Sequence, residues 1–114
     1  MKAKLSVLIF VLALFLLPDL QAQKVYSTDY KSEADVKVYV SRYKSEADLY
    51  VYKTTYKSEV RNNDGFWYFT DYKSEADKKI YFTSYKSEAD IVVYFTDYKS
   101  EAGWRKSSKK HIMY

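Results

Sequence analysis

One six-residue phrase, YKSEAD, dominates the sequence and returns along the chain, in full or in part, six times. Its tyrosines recur at four intervals of 13 and one of 16, and they are Tyr30, Tyr43, Tyr56, Tyr72, Tyr85 and Tyr98. This period is shorter than that of helical, leucine-rich or propeller repeats, so none of those folds fits. The chain is therefore expected to consist of very short units that bury a core only together.

A strand-forming segment precedes each of these motif tyrosines. A second tyrosine stands four positions earlier in all six units, directly after valine, isoleucine or tryptophan, and a threonine or serine follows it two positions later. These residue types favour strands. Alternation with period two places aliphatic residues and phenylalanine on one face, and tyrosine and threonine on the other. The pattern predicts six short strands that are covered on both faces.

The connectors carry a pattern typical of a capping box. In Ser32-Glu33-Ala34-Asp35 the serine can cap the start of a helical turn, and the acid three positions later can reach back to it. We interpret the repeated KSEAD as a chain reversal that caps itself; a carboxylate-rich ligand site is the alternative. Asp35, Asp48, Asp77 and Asp90 end the connectors that lead to a 13-residue spacing, whereas Arg61 and Gly103 stand there in the other two.

A longer period is superimposed on the short one. Motif tyrosines three units apart, such as Tyr30 and Tyr72, always show a 42-residue separation, so one three-strand lap is written twice. If the laps interleave, the strand at Tyr39 lies beside that at Tyr81, and the strand at Tyr52 beside that at Tyr94. Residues 103–114 form a degenerate seventh unit, whose strand-like end is predicted at His111, Ile112, Met113 and Tyr114. The predicted fold is a small α+β domain, mainly β with short helical turns, in which six to seven 13- or 16-residue repeats occupy positions 23–114.

Residues 1–22 have a different character. A short basic start with Lys2 and Lys4 precedes an apolar run from Leu5 to Leu17, and Ala22 offers a small residue at a cleavage site. These are the three parts of a secretory signal peptide. The run is shorter than the roughly 20 residues that a membrane-spanning helix needs, which makes an uncleaved anchor the weaker alternative. We predict cleavage near Ala22, export to the periplasm or the exterior, and no transmembrane segment after processing.

Composition argues against catalysis. The chain has one histidine and no cysteine, and no nucleophile, base and orienting group can be assembled from a set of residues repeated six times. The repeated carboxylates lack the dense spacing of a calcium loop. We therefore expect no enzyme activity, no cofactor and no metal. Residues 23–101 carry 13 basic and 14 acidic side chains, whereas Arg105, Lys106, Lys109 and Lys110 make the tail basic. A near-neutral body argues against nucleic acid as the partner.

The sequence predicts a non-catalytic, very stable structural or interaction module that is monomeric. The alternative is a module that binds a glycan or an envelope surface through aromatic and basic residues of its closing region. The candidate ligand residues are Trp67, Trp104, Arg105 and His111, and the candidate partner is a cell-envelope or extracellular component. Exposed Trp67 and Trp104 on one patch would favour binding, whereas their burial would favour the structural role.

The repeated phrase VYFTDYKSEA and the closing GWRKSSKKHIMY resemble the septoil-knot domain family of small bacterial repeat proteins. The resemblance covers nearly all of residues 24–114. It implies a compact domain of short strands and helical turns whose chain is deeply knotted as a torus knot with seven crossings. It implies no particular activity. The sequence departs from the repeat at Val60-Arg61, and Lys109 and Lys110 are poor strand residues.

Overall fold

The computed structural model describes residues 23–60 and 63–114. The predicted signal peptide and Arg61 lie outside the described residues. The strands are β1 (Lys24–Ser27), β2 (Val36–Val40), β3 (Leu49–Thr54), β4 (Phe66–Phe69), β5 (Lys78–Phe82), β6 (Ile91–Phe95) and the short β7 (Gly103–Trp104). The first six follow the tyrosine periodicity, one strand to a unit.

These six strands form a closed parallel barrel in the order β1-β5-β2-β6-β3-β4, with β4 returning to β1. Closure removes the exposed edges that would otherwise template aggregation. Strands of the second lap alternate with those of the first. The predicted neighbours are confirmed, since Tyr39 lies on β2 beside β5 and Tyr52 on β3 beside β6. The 42-residue period therefore sets the strand order.

Each barrel strand is followed by a single short turn of 3-10 helix, which we call a corner. The corners are Lys31–Glu33, Lys44–Glu46, Lys57–Glu59, Lys73–Glu75, Lys86–Glu88 and Lys99–Glu101. Parallel strands are usually joined by a crossover of a dozen or more residues with a full helix. Here residues 28–35 suffice between β1 and β2, because the connection passes over one intervening strand, β5. The helical turns that the sequence predicts are thus present, in the tighter 3-10 form.

The barrel interior is filled by the residue that precedes each strand tyrosine. All six are fully buried: Val25, Val38, Val51, Trp67, Ile80 and Val93. The strand tyrosines point the opposite way and are half-buried beneath the corners. The alternation predicted from the sequence is therefore correct, with the aliphatic face inside. Burial of these side chains from water is the main favourable contribution to folding.

The end of the chain, residues 103–114, differs from the prediction; we call it the closing segment. Only Gly103–Trp104 is a strand, paired antiparallel to the start of β3, and Ser107–Met113 is a 3-10 helix. The strand-like end predicted at His111–Tyr114 is wrong. Because β3 already pairs with β6 and β4, only its first residues are free to accept another strand. The helix instead brings Met113 into the core, where the Gln23 side chain donates to the Met113 carbonyl over 2.9 Å.

Candidate functional site

The corners are not capped as the sequence predicted. The motif tyrosine, in extended conformation, precedes each turn, and no side chain caps any of the six. The serine of KSE lies inside the turn. The chain reversal is instead fixed by the threonine or serine that precedes the turn. Its hydroxyl accepts the motif tyrosine N–H over 3.0–3.1 Å in all six units, for example Thr28 from Tyr30 and Ser41 from Tyr43. This is an ST-turn, which competes locally with strand continuation.

The same hydroxyl also positions the motif glutamate. Thr28 donates to Glu33 over 3.2 Å, and Ser41 donates to Glu46 over 2.5 Å. Thr96 donates to Glu101 over 2.5 Å, and Thr54 bonds Glu59 in the same way. The six residues at this position are nearly buried, at 4–7% exposure. A buried hydroxyl that both accepts and donates fixes the corner and holds its glutamate in place.

Each motif lysine reaches the glutamate of another corner. The pairs are Lys31–Glu88, Lys86–Glu46, Lys44–Glu101, Lys99–Glu59, Lys57–Glu75 and Lys73–Glu33. In this sequence the pairs return to the corner where they began, and they follow the strand order of the barrel. We call this closed ring of six ion pairs the belt. Single exposed ion pairs contribute little stability, whereas a network with fixed geometry contributes more.

The belt shifts the pKa values of several of its side chains. The lysine ammonium groups lower the pKa of Glu33, Glu75, Glu88 and Glu101 below the ordinary value of 4.5. For Glu46 the first cause of the lowered pKa is the Ser41 hydroxyl, and Lys86 adds to it. Hydrogen bonds to the partner glutamates raise the pKa of Lys31, Lys44, Lys57 and Lys73 above 10.5. Both directions favour the charged forms.

Aromatic rings flank the belt. In five corners the lysine ammonium also lies 5.6–5.8 Å from the ring centroid of a neighbouring strand's tyrosine, as Lys31 does over Tyr81 and Lys73 over Tyr26. The strand tyrosines thus stabilise the belt lysines from the barrel side. The motif tyrosines remain outside, 66–70% exposed in all six units. The surface around the barrel is therefore a ring of exposed phenol groups between neutralised charges.

The repeated aspartates tie strands together. The carboxylates of Asp35, Asp48, Asp77 and Asp90 accept the backbone N–H of Lys79, Val92, Lys24 and Lys37 over 2.8–2.9 Å. Each aspartate also donates its own N–H to the carbonyl of that same residue over 2.7–2.8 Å. We call each such pair of hydrogen bonds a clamp, and every clamp joins the two laps at the start of a strand. Each aspartate therefore bonds a strand of the other lap and does not cap its own turn.

Asp48 has a second role, at the closing segment. It is 1% exposed, whereas Asp35 is exposed. The ammonium groups of Lys106 and Lys109 lie 3.3 and 3.4 Å from its carboxylate, and the backbone N–H groups of Arg105 and Lys106 donate to its carbonyl. Two basic residues of the tail thus neutralise one buried acid. The tail is folded onto the barrel through this residue.

Asn63 and Gly65 prepare the same end of the barrel. Asn63 is fully buried with φ of 38°, and its side-chain amide donates to the Lys110 carbonyl over 2.9 Å. The Trp104 indole N–H donates to the Asn63 carbonyl and side-chain oxygens at 3.0 and 3.1 Å. Gly65 has φ of +91°, and a Cβ there would lie 2.5 Å from the Tyr50 carbonyl oxygen. Asn63 and Gly65 therefore shape the part of the barrel end that binds the closing segment.

The four candidate ligand residues do not form one surface. Trp67 is fully buried in the core, so it presents no face to a ligand. Trp104 is half-buried and held by Asn63, while the Arg105 guanidinium lies 4.3 Å from the Tyr50 ring centroid. His111 is exposed, and its backbone carbonyl accepts the Tyr114 N–H. The structure brings Trp104 and Arg105 together at β3, whereas Trp67 lies inside the barrel and is closed to a ligand.

A feature that the sequence did not reveal lies at the carboxyl ends of the strands, which we call the mouth. Phe69, Phe82 and Phe95 are half-buried there, with centroid distances of 6.3 and 6.4 Å between successive rings. The Lys53 ammonium lies 5.2 Å from the Phe69 ring centroid and 5.3 Å from that of Phe95. The signal was present in the repeat, because Lys53 occupies the position that holds phenylalanine in the second lap.

Within residues 23–60 and 63–114, no group of three or more His, Cys, Asp or Glu side chains could hold a metal ion. No helix in this part of the chain is long and apolar enough to cross a membrane.

Comparison with known families now decides the classification. The sequence model of a family described as the 7(1) septoil knot domain matches residues 22–105. The chain belongs to the septoil-knot domain family. The match ends at Arg105, so the last 3-10 helix of this septoil-knot domain lies beyond the matched region. No curated protein and no solved structure shows significant similarity to the chain.

Proposed function

We propose that this septoil-knot domain is an exported, non-catalytic and highly stable structural or interaction module. The observation that carries the proposal is the belt. The repeated lysine, glutamate, threonine and aspartate residues are engaged in contacts that hold the units together. Residues that hold neighbours together in four to six equivalent copies serve the fold, and catalysis instead requires an asymmetric group of unlike side chains.

The finer part of the proposal is a mainly β domain with a deeply knotted chain path. Two laps that alternate strand by strand around a closed barrel support it, because neither lap can leave the barrel without opening the other. Barrel contacts are long-range, so loop closure precedes the contacts that reward it and folding is slow. Stability then lies in a slow unfolding rate as well as in the equilibrium.

The experiment compares unfolding rates of intact and cut protein. A protease site inserted between Val60 and Asn63 lets the two laps be separated covalently after folding. The intact chain is expected to unfold in denaturant far more slowly than the cut chain, since only the intact chain must thread its ends out. Equal unfolding rates after confirmed cleavage would contradict the knotted path.

Export is proposed on the sequence of residues 1–22. Material recovered outside the cytoplasm of an expressing bacterium is expected to begin at Gln23 by mass spectrometry. Replacement of Leu8 and Leu12 by Arg should retain the full-length chain inside, because an apolar run is the part that directs secretion. An extracellular product that retains Met1 would contradict this proposal.

A second candidate function is the binding of a glycan or envelope surface, and the exposed motif tyrosines favour it. Rings that are 66–70% exposed are available for stacking in six equivalent places. Weak sites repeated on one rigid body add through avidity. Affinity electrophoresis through neutral polysaccharide gels tests it: retardation should disappear on replacement of all six motif tyrosines by serine and persist when Trp104 alone is replaced by phenylalanine.

A further inference from the structure

The mouth holds a cation in a way that differs from the belt. Each belt lysine reaches a glutamate. Lys53 forms no ion pair with any residue that the structure describes, and its ammonium instead lies over the rings of Phe69 and Phe95. A cation within about 6 Å of an aromatic centroid is attracted by the negative face of the ring. The mouth therefore stabilises an ammonium group with aromatic faces.

Packing explains part of this arrangement, but not the lysine. Around the mouth, Phe82, Phe95 and Phe69 of the second lap alternate with Ser27, Val40 and Lys53 of the first. Alternation of large and small residues is the usual way to fill a tapered barrel end, and it accounts for serine and valine between phenylalanines. A long charged side chain is neither small nor apolar. Lys53 is exposed, and its ammonium nonetheless lies over two phenylalanine rings.

The charge at the rim has the sign that suits a cation. The residue just beyond each buried threonine or serine at the strand ends is exposed, and the six such residues are Asp29, Arg42, Thr55, Asp71, Ser84 and Asp97. Three acids and one base make this rim net negative. Such a field raises the local concentration of cations near the aromatic rings.

We propose that the mouth is a binding site for an organic ammonium group, with Lys53 as its internal occupant. Phe69 and Phe95 contact the cation, and Phe82 completes the apolar wall between them. The ligand class is a small quaternary or alkylated ammonium, free or at the end of a larger molecule. Aromatic faces favour such weakly hydrated cations over metal ions, whose hydration the phenylalanines cannot replace. The site is separate from the belt and does not depend on the function proposed above.

The internal lysine gives the proposal an unusual consequence. Because Lys53 is tethered beside the rings, it competes with any external ammonium at high effective concentration. Removal of its charge should therefore tighten binding of an external cation. A lysine that merely contributed to a surface would have no such effect.

The test is calorimetric titration of the purified protein with choline and with 3,3-dimethyl-1-butanol, its uncharged isostere. Lys53→Met keeps most of the length of the side chain and removes its charge. Choline should bind this variant about tenfold more tightly than the unchanged protein, in line with the known strength of cation–aromatic attraction. The isostere should bind the variant at least several-fold more weakly than choline.

Two further variants complete the design. Lys37→Met removes a charge between the buried Val36 and Val38, on the outer face of β2, and should leave choline binding unchanged. Phe95→Leu added to Lys53→Met should lower choline affinity about tenfold, because an aliphatic side chain has no ring face. Lys53→Ser repeats the test with the residue that β1 carries at this position. Equal binding of choline by the Lys53 variants and the unchanged protein, or equal binding of choline and its isostere, overturns the proposal.

Discussion

The belt and the closing segment hold the same barrel by opposite means. The belt uses one exposed ion pair six times, so each copy has five equivalents elsewhere in the ring. The closing segment uses contacts that occur once: Met113 in the core, Trp104 on Asn63, and two lysines on Asp48. Each ion pair of the belt therefore contributes a small share of the stability, whereas each unique contact of the closing segment contributes a large one. A single change should therefore matter most where the sequence is least repetitive.

The strongest way to test this difference is deletion of residues 104–114. The deletion removes a fully buried methionine, the partners of Gln23 and Asn63, and both lysines that neutralise Asp48. Loss of one large buried side chain alone typically costs about 2–5 kcal/mol. The deletion should therefore prevent folding or lower the denaturation midpoint severely. Urea denaturation followed by tyrosine fluorescence measures it. An unchanged midpoint would show that the closing segment is an ordinary surface tail.

The aspartate clamps allow the comparison within one residue type. Asp48→Ala removes a buried carboxylate bonded to Val92 N–H and to two lysines, and should cost about 2–3 kcal/mol, as expected for hydrogen bonds to charged groups. Asp35→Ala removes the equivalent exposed clamp on Lys79 and should cost about 1 kcal/mol. Chemical denaturation of both variants gives the difference. Equal losses would mean that the closing segment adds nothing at Asp48.

Within one corner, Glu46 and Ser45 reverse the order that a capping box would give. Glu46 accepts from Ser41 over 2.5 Å and from Lys86 over 3.2 Å, whereas Ser45 is exposed and caps nothing. Glu46→Gln should lower the unfolding midpoint measurably. Ser45→Ala should stay within about 0.5 kcal/mol of the parent, as for surface changes in general. A larger loss for Ser45→Ala would restore the capping interpretation.

The sequence predicts the regular part of the fold because the information there is local and repeated. Val, Tyr and Thr with period two identify the strands, and the 42-residue spacing identifies which strands are neighbours. The capping box failed for a physical reason. Its residue types are right, but the motif tyrosine is extended, with φ of −114° and ψ of 114° at Tyr30, and the hydroxyl of Thr28 takes its N–H.

The closing segment and the mouth could not be predicted in the same way. Asn63 and Lys110 are far apart in the chain, and nothing in either local sequence indicates the bond between them. Lys53 looks like an ordinary strand lysine until closure of the barrel brings β4 and β6 to either side of β3. Trp67 was a candidate ligand residue, although it occupies the repeat position at which all six side chains lie inside the barrel. Contacts made once leave no pattern to detect.

The smallest expected effect is the response of the belt to pH. The pKa values of Glu33, Glu75 and Glu88 are lowered, so their stabilisation is present above about 4.5 and is lost as pH falls through the lower folded values. The pKa values of Lys31, Lys44, Lys57 and Lys73 are raised, so their stabilisation is present below about 10.5 and is lost as pH rises through the higher folded values. Thermal unfolding should therefore show a plateau between these limits with a decline on both sides.

Salt should lower the plateau only slightly, because the charges are paired at short range. A stability maximum confined to a narrow range near neutral pH would contradict a belt that is charged throughout.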